Sequence, residues 1–69
     1  MTTYRELADI LAVLPLLLRE ARRQRGMTMK DAAGELGLSA STVCRIEAGQ
    51  DCAMSNAVAI LRWLDRGPA

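Results

Sequence analysis

Leu7, Ile10, Leu11 and Leu14 recur at i, i+3, i+4 and i+7, the spacing of one face of an amphipathic helix. Thr3 and Glu6 precede this run as a capping box, a hydroxyl at the N-cap with a carboxylate three residues on. Pro15 then intervenes. Proline removes a backbone donor inside a helix but suits a first helical position, which predicts a break near Leu14 and a second helix from about Pro15 to Arg25. A single helix kinked at Pro15 is the alternative. The second helix turns Leu17, Leu18 and Ala21 inward and Arg19, Arg22, Arg23 and Arg25 mostly outward, and Gly26 ends it.

A second capping box, Thr28 with Asp31, opens a third helix that runs to Leu36. Gly34 lies inside it at a cost of about 1 kcal/mol against alanine. Either close packing requires that glycine or the helix is weak there. Ser39 caps a fourth helix through Ala48, with Val43 and Ile46 inward. After a Gly49-Gln50-Asp51 loop, Ser55 or Asn56 caps a last helix through about Leu64. That helix is apolar nearly all round: Val58, Leu61 and Leu64 define one face, with Ile60 and Trp63 partly off it. Residues 67–69 read as a frayed tail. There is no strand pattern, internal repeat or low-complexity linker.

The stretch Met29–Gly49 organises the rest. Two short helices meet at Gly37-Leu38, Ala33 is small where they must cross, and Gly37 accepts the left-handed conformation of a C-cap. Leu36, Val43 and Ile46 face a common core. An angled helix pair joined by a short glycine-containing turn is the helix-turn-helix, which places its second helix in the DNA major groove.

Charge sharpens this picture. The net charge is only +1, yet residues 19–30 hold five cations (Arg19, Arg22, Arg23, Arg25, Lys30) against Glu20. That is a local +4, which leaves −3 elsewhere, so the basic charge is concentrated beside the motif. At 69 residues with 51% hydrophobic composition, the chain reads as one small helical domain. Chains of this size bury only about 60% of their unfolded surface, so the core is marginal without a staple or partner. Cys44 and Cys52, with seven residues between them and no histidine in the chain, match no metal pattern. The N-terminus does not read as a signal peptide, and the run from Leu7 to Leu18 is too short to span a bilayer. A cytoplasmic, nucleoid-associated protein with reduced thiols and no membrane partner is expected.

With its N-terminus in the groove, the fourth helix presents Ala40, Ser41, Cys44 and Arg45 to base edges. Arg45 can donate two hydrogen bonds to guanine, Ser41 can donate or accept, and the Ala40 methyl can meet a thymine methyl. Arg19, Arg23, Arg25, Thr28, Lys30, Ser39 and Thr42 are the phosphate candidates. Each has a plainer reading: Ser39 as an N-cap, Arg45 as a solvated or carboxylate-paired side chain, Cys44 as a small filler, the arginine cluster as a solubilising face. Catalysis is not expected, because there is no histidine, no phosphate loop and no Ser or Cys with an evident base. Asp31 and Glu35 share a helix face and read as solvated. No cofactor is implied.

The residues Leu18, Arg22, Gly26, Thr28, Ala33, Leu36-Gly37, Ser39, Val43, Arg45-Ile46-Glu47 and Gly49 together resemble the phage repressor-like (Cro-type, Xre-type) helix-turn-helix domain over about residues 16–65. The resemblance implies an all-α, compact bundle of about five short helices, lambda-repressor-like, with residues 1–14 as an additional N-terminal helix and residues 28–48 as the helix-turn-helix. It implies double-stranded operator DNA, palindromic and bound by a homodimer, and a structural pair between Arg22 and Glu47. Met29 stands where the family usually has a phosphate-contacting glutamine. The family also commonly ends in a further dimerisation helix, whereas here the additional element is N-terminal. A small repressor or Cro-like protein acting by operator occupancy is the leading expectation. An antitoxin that binds its promoter and a protein toxin, and an interaction module that has lost DNA binding, remain as alternatives. The apolar surplus on Leu7 to Leu18, with Ile60 and Trp63, points to a homodimer through the N-terminal helix, the last helix, or both.

Overall fold

The computed structural model describes residues 2–50 and 52–67. Five helices follow in order: α1 (Tyr4–Ala12), α2 (Leu14–Gln24), α3 (Met29–Leu36), α4 (Ala40–Glu47) and α5 (Met54–Arg66). No strand occurs among the described residues, and none of the helices is long and apolar enough to cross a membrane. The expected all-α bundle is what forms.

The local signals explain most boundaries. Thr3 caps α1, its Oγ1 accepting the Glu6 N–H at 3.1 Å, and its hydroxyl donates to the Glu6 carboxylate at 3.3 Å. Val13 alone separates α1 from α2, serving as C-cap of one and N-cap of the other, with Pro15 in the first turn that follows. The break therefore falls one residue earlier than Leu14, and Leu14 belongs to α2. At α3 the capping box is complete. Thr28 Oγ1 accepts the Asp31 N–H at 3.1 Å, and Asp31 Oδ2 accepts the Thr28 N–H at 3.0 Å. Gly37 ends α3 at φ 72°, a left-handed conformation that a side chain would strain. The chain then reverses with the Leu38 N–H donating to the Ala33 carbonyl at 2.9 Å. A Cβ at Gly34 would meet nothing within 4 Å, so close packing is not what keeps a glycine there.

The core is built by α2 to α5. Leu14 and Leu18 from α2, Ala32 and Ala33 from α3, Val43 and Ile46 from α4, and Ile60 and Trp63 from α5 are all buried. Ala21, Met29, Leu36, Leu38, Leu61 and Leu64 pack around them, half-buried. Alanines at 32 and 33 let α3 lie close to its neighbours, as expected for Ala33. In contrast, α1 buries no residue at all.

Three expectations for α5 need correction. The helix starts at Met54 with Ala53 at the N-cap and no side-chain cap, so neither Ser55 nor Asn56 caps it. A cap contributes about 1 kcal/mol, and packing of the helix face outweighs it. The helix ends at Arg66 rather than near Leu64. Its buried face is Ile60 and Trp63, with Ala57, Leu61 and Leu64 half-buried, whereas Val58 is exposed. Ser55, Arg62 and Asp65 mark the exposed face of α5, and Val58 lies on it, three residues after Ser55 and four before Arg62, so the opposite side with the largest side chain, Trp63, takes the core position. Ile60 and Trp63 are thereby removed from the apolar surplus assigned to self-association. Asp51 of the loop and Pro68 and Ala69 of the tail lie outside the described residues.

Candidate nucleic-acid interface

The turn at Gly37-Leu38 sets α3 and α4 against each other, and Val43 and Ile46 lock α4 into the core. Helical geometry then fixes the opposite face. Ala40, Ser41, Cys44 and Arg45 are all exposed along one side of α4. Ser39 caps the helix, its Oγ accepting the Thr42 N–H at 3.1 Å.

That same serine begins a chain of polar contacts. Ser39 Oγ lies 2.8 Å from Thr42 Oγ1, and the guanidinium of Arg45 donates to Thr42 Oγ1 at 3.4 Å. The three residues are spaced i, i+3, i+6 and so follow one ridge of the helix. Thr42 is half-buried and braces Arg45 while sharing the cap hydroxyl.

At the far end of α4, Glu47 meets Arg22 of α2 through two hydrogen bonds, Nε to Oε2 at 2.9 Å and Nη2 to Oε1 at 3.0 Å. The side chains are only 14% and 4% exposed, so this is a shielded, bidentate pair and not the exposed one that would contribute little. Arg22 also donates to the Met27 carbonyl at 3.1 Å, which fixes the α2–α3 turn. The hydrogen bond to Glu47 raises the Arg22 pKa further above its ordinary value. The pair has an electrostatic consequence: it neutralises the one carboxylate of α4, which would otherwise repel a phosphate backbone.

The basic side chains divide into two groups. Arg19, Arg23 and Lys30 are exposed, with Arg19 and Arg23 flanking Arg22 on α2. Arg25, expected outward, turns back instead. Its guanidinium carbon sits 4.1 Å from the Trp63 ring centroid, and its nitrogens donate to the Trp63 and Leu64 carbonyls at 3.3 and 3.4 Å. It thereby meets carbonyls in the last turn of α5, where the dipole favours a cation.

A family model described as a helix-turn-helix domain matches residues 14–69. The chain belongs to this DNA-binding family. No curated protein and no solved structure matches it. The matched stretch starts at Leu14, the first residue of α2, and leaves α1 outside.

Within the helix-turn-helix domain, one group of contacts was invisible in the sequence. The Trp63 indole N–H donates to Glu35 Oε1 at 2.7 Å, so Glu35, read as solvated, anchors α3 to α5. Trp63 thus joins α2, α3 and α5 through Arg25, Glu35 and its own burial. Only the need of a buried indole for an acceptor hinted at this. Thr28 and Ser39 are engaged as N-caps. Hydrogen bonds from Thr28, the backbone one foremost, hold the Asp31 carboxyl below its ordinary 3.8. A depressed carboxylate stabilises the fold above its unfolded value, and that contribution is lost as pH falls through the lowered one. Met29 is half-buried against the core. Both cysteines are free. Cys44 is exposed on α4, whereas burial pushes the Cys52 thiol up.

Proposed function

We propose that this chain is a sequence-specific transcriptional regulator, a small repressor of phage or Cro-like type that acts by occupying an operator. The observation that carries the reading is the face of α4. Four exposed residues, Ala40, Ser41, Cys44 and Arg45, share a helix whose one carboxylate, Glu47, is held by Arg22. Arg45 is the guanine reader, braced by Thr42, and one such bidentate contact discriminates by about 1–3 kcal/mol. Ser41 and the Ala40 methyl add polar and apolar contacts to neighbouring bases. Arg19, Arg23 and Lys30 supply backbone charge, and Ser39 and Thr42 lie where α4 would meet a phosphate. The operator is a palindrome bound by a homodimer, because a face with one strong reader needs a second half-site.

A band-shift titration of the upstream DNA across salt tests this reading. Neutralised phosphates release counterions, so affinity falls steeply between 50 and 200 mM salt, roughly 10-fold or more for two or three phosphates. A flat salt response, or no binding to any upstream fragment, contradicts it.

A further inference from the structure

Arg45 sits in the last turn of α4, where the C-terminal carbonyls and the helix dipole attract a cation. Its guanidinium instead reaches back one turn and donates through Nη2 to Thr42 Oγ1 at 3.4 Å. The carboxylate of the same turn, Glu47, is engaged by Arg22 and does not compete for it. Arg45 is thereby aimed toward the start of α4, the end that enters a groove.

The hydroxyl that holds it is itself held. Ser39 Oγ accepts the Thr42 N–H at 3.1 Å and lies 2.8 Å from Thr42 Oγ1. Either hydroxyl can donate in that second contact, and in both arrangements Thr42 Oγ1 keeps a lone pair for Arg45. Thr42 is half-buried, and its branched Cβ leaves χ1 few alternatives. The guanidinium therefore leans on a side chain fixed to the cap of its own helix. One of its five donors is used on Thr42, which leaves the others for a base.

Order of this kind bears on discrimination. Arginine is among the side chains that lose most rotamer freedom on ordering, and fixing one on binding costs roughly 2–10-fold in affinity. A bidentate contact needs the fork aimed at guanine O6 and N7 together. A guanidinium ordered beforehand lowers that cost where the matching base stands and gives nothing where it does not.

We propose that Thr42 is a positioning residue that sets how strongly this chain discriminates for guanine, acting on the base through Arg45. This rests on the guanine-reading role given to Arg45 above and names the group that controls it.

The first test needs no DNA. The order of the Arg45 Nε–H, read from NMR relaxation on the full chain, is expected to exceed that of Arg23, which is exposed on α2. It falls to the Arg23 level in Thr42→Val and returns in Thr42→Ser. Valine keeps the branched shape, a similar helix propensity and the backbone N–H that Ser39 accepts, so α4 stays capped. The second test titrates the same proteins on a duplex enriched from a random pool by the unmodified chain, and on unselected duplex. Thr42→Val is expected to lose roughly 2–10-fold on the enriched duplex beyond any loss on unselected DNA. Thr42→Ser recovers it, and the excess vanishes in an Arg45→Ala background. An Arg45 as mobile as Arg23 in the unmodified chain overturns the proposal. So does a loss that is equal on both duplexes, the mark of a phosphate contact alone, and so does an excess that persists without Arg45. An enriched sequence that Thr42→Val binds unchanged removes the brace and leaves the operator reading standing. An ordered, Thr42-dependent Arg45 in a chain that enriches no sequence sustains the brace and removes the operator.

Discussion

The two terminal helices are both rich in apolar residues, yet they fare differently. α5 buries Ile60 and Trp63, whereas α1 carries Leu7, Ile10 and Leu11 and buries nothing. Hydrophobicity alone does not separate them. α5 meets groups shaped for it: Glu35 accepts the indole N–H, and Arg25 lies over the ring and holds the last carbonyls. α1 is joined through Val13 to the start of α2, and none of its residues enters the core. An apolar stripe says that a face needs cover. What covers it is decided by complementary groups on another element.

The largest expected effect tests that contrast directly. Trp63→Ala removes a large buried side chain, costing about 3–5 kcal/mol, and lowers the urea midpoint sharply. Leu11→Ser, measured below the association range, changes monomer stability by no more than about 0.5 kcal/mol. Similar losses in the two variants would show that α1 belongs to the core after all. Next in size is Glu47→Ala, which strands Arg22 in a shielded site at a cost of about 3 kcal/mol. The double variant Arg22→Ala/Glu47→Ala loses less than the two singles combined; additive losses would mean that the pair does not couple α2 to α4. The smallest effect among the variants of α2 to α5 is a gain. Gly34→Ala places a methyl in open space on a central helical position, raising stability by about 0.5–1 kcal/mol. A drop in the urea midpoint would contradict the open environment around α3.

Local chemistry was legible wherever it stayed local. Thr28 with Asp31, Ser39 as an N-cap, Gly37 as a C-cap and the Pro15 break are all short-range and all form. The inward positions Val43 and Ile46 followed from helical phase, and with them the exposed face of α4. What escaped was long-range. Nothing near Glu35 says that it will meet an indole 28 residues away, and nothing near Arg25 distinguishes it from Arg23. The phase of α5 lay in its few polar residues, since Ser55, Arg62 and Asp65 set the exposed face on which Val58 falls, and the apolar run between them masked it; its N-cap was misplaced because packing outweighs a capping side chain. The ridge of Ser39, Thr42 and Arg45 was half legible: each residue was a candidate, but their mutual contacts depend on rotamers that spacing alone does not set.

The central claim is that α4 reads DNA through Arg45 while the arginines of α2 supply charge without sequence. Selection from a random DNA pool, run on the unmodified chain, Arg45→Ala and Arg23→Ala, tests it most directly. The unmodified chain should enrich an inverted repeat. Arg45→Ala should lose preference at one base pair of each half-site, with a loss of about 1–3 kcal/mol on the selected sequence. Arg23→Ala should keep the motif and weaken every sequence alike, with a shallower salt slope. An unchanged motif in Arg45→Ala, or an even loss by both variants on selected and random DNA, would contradict it.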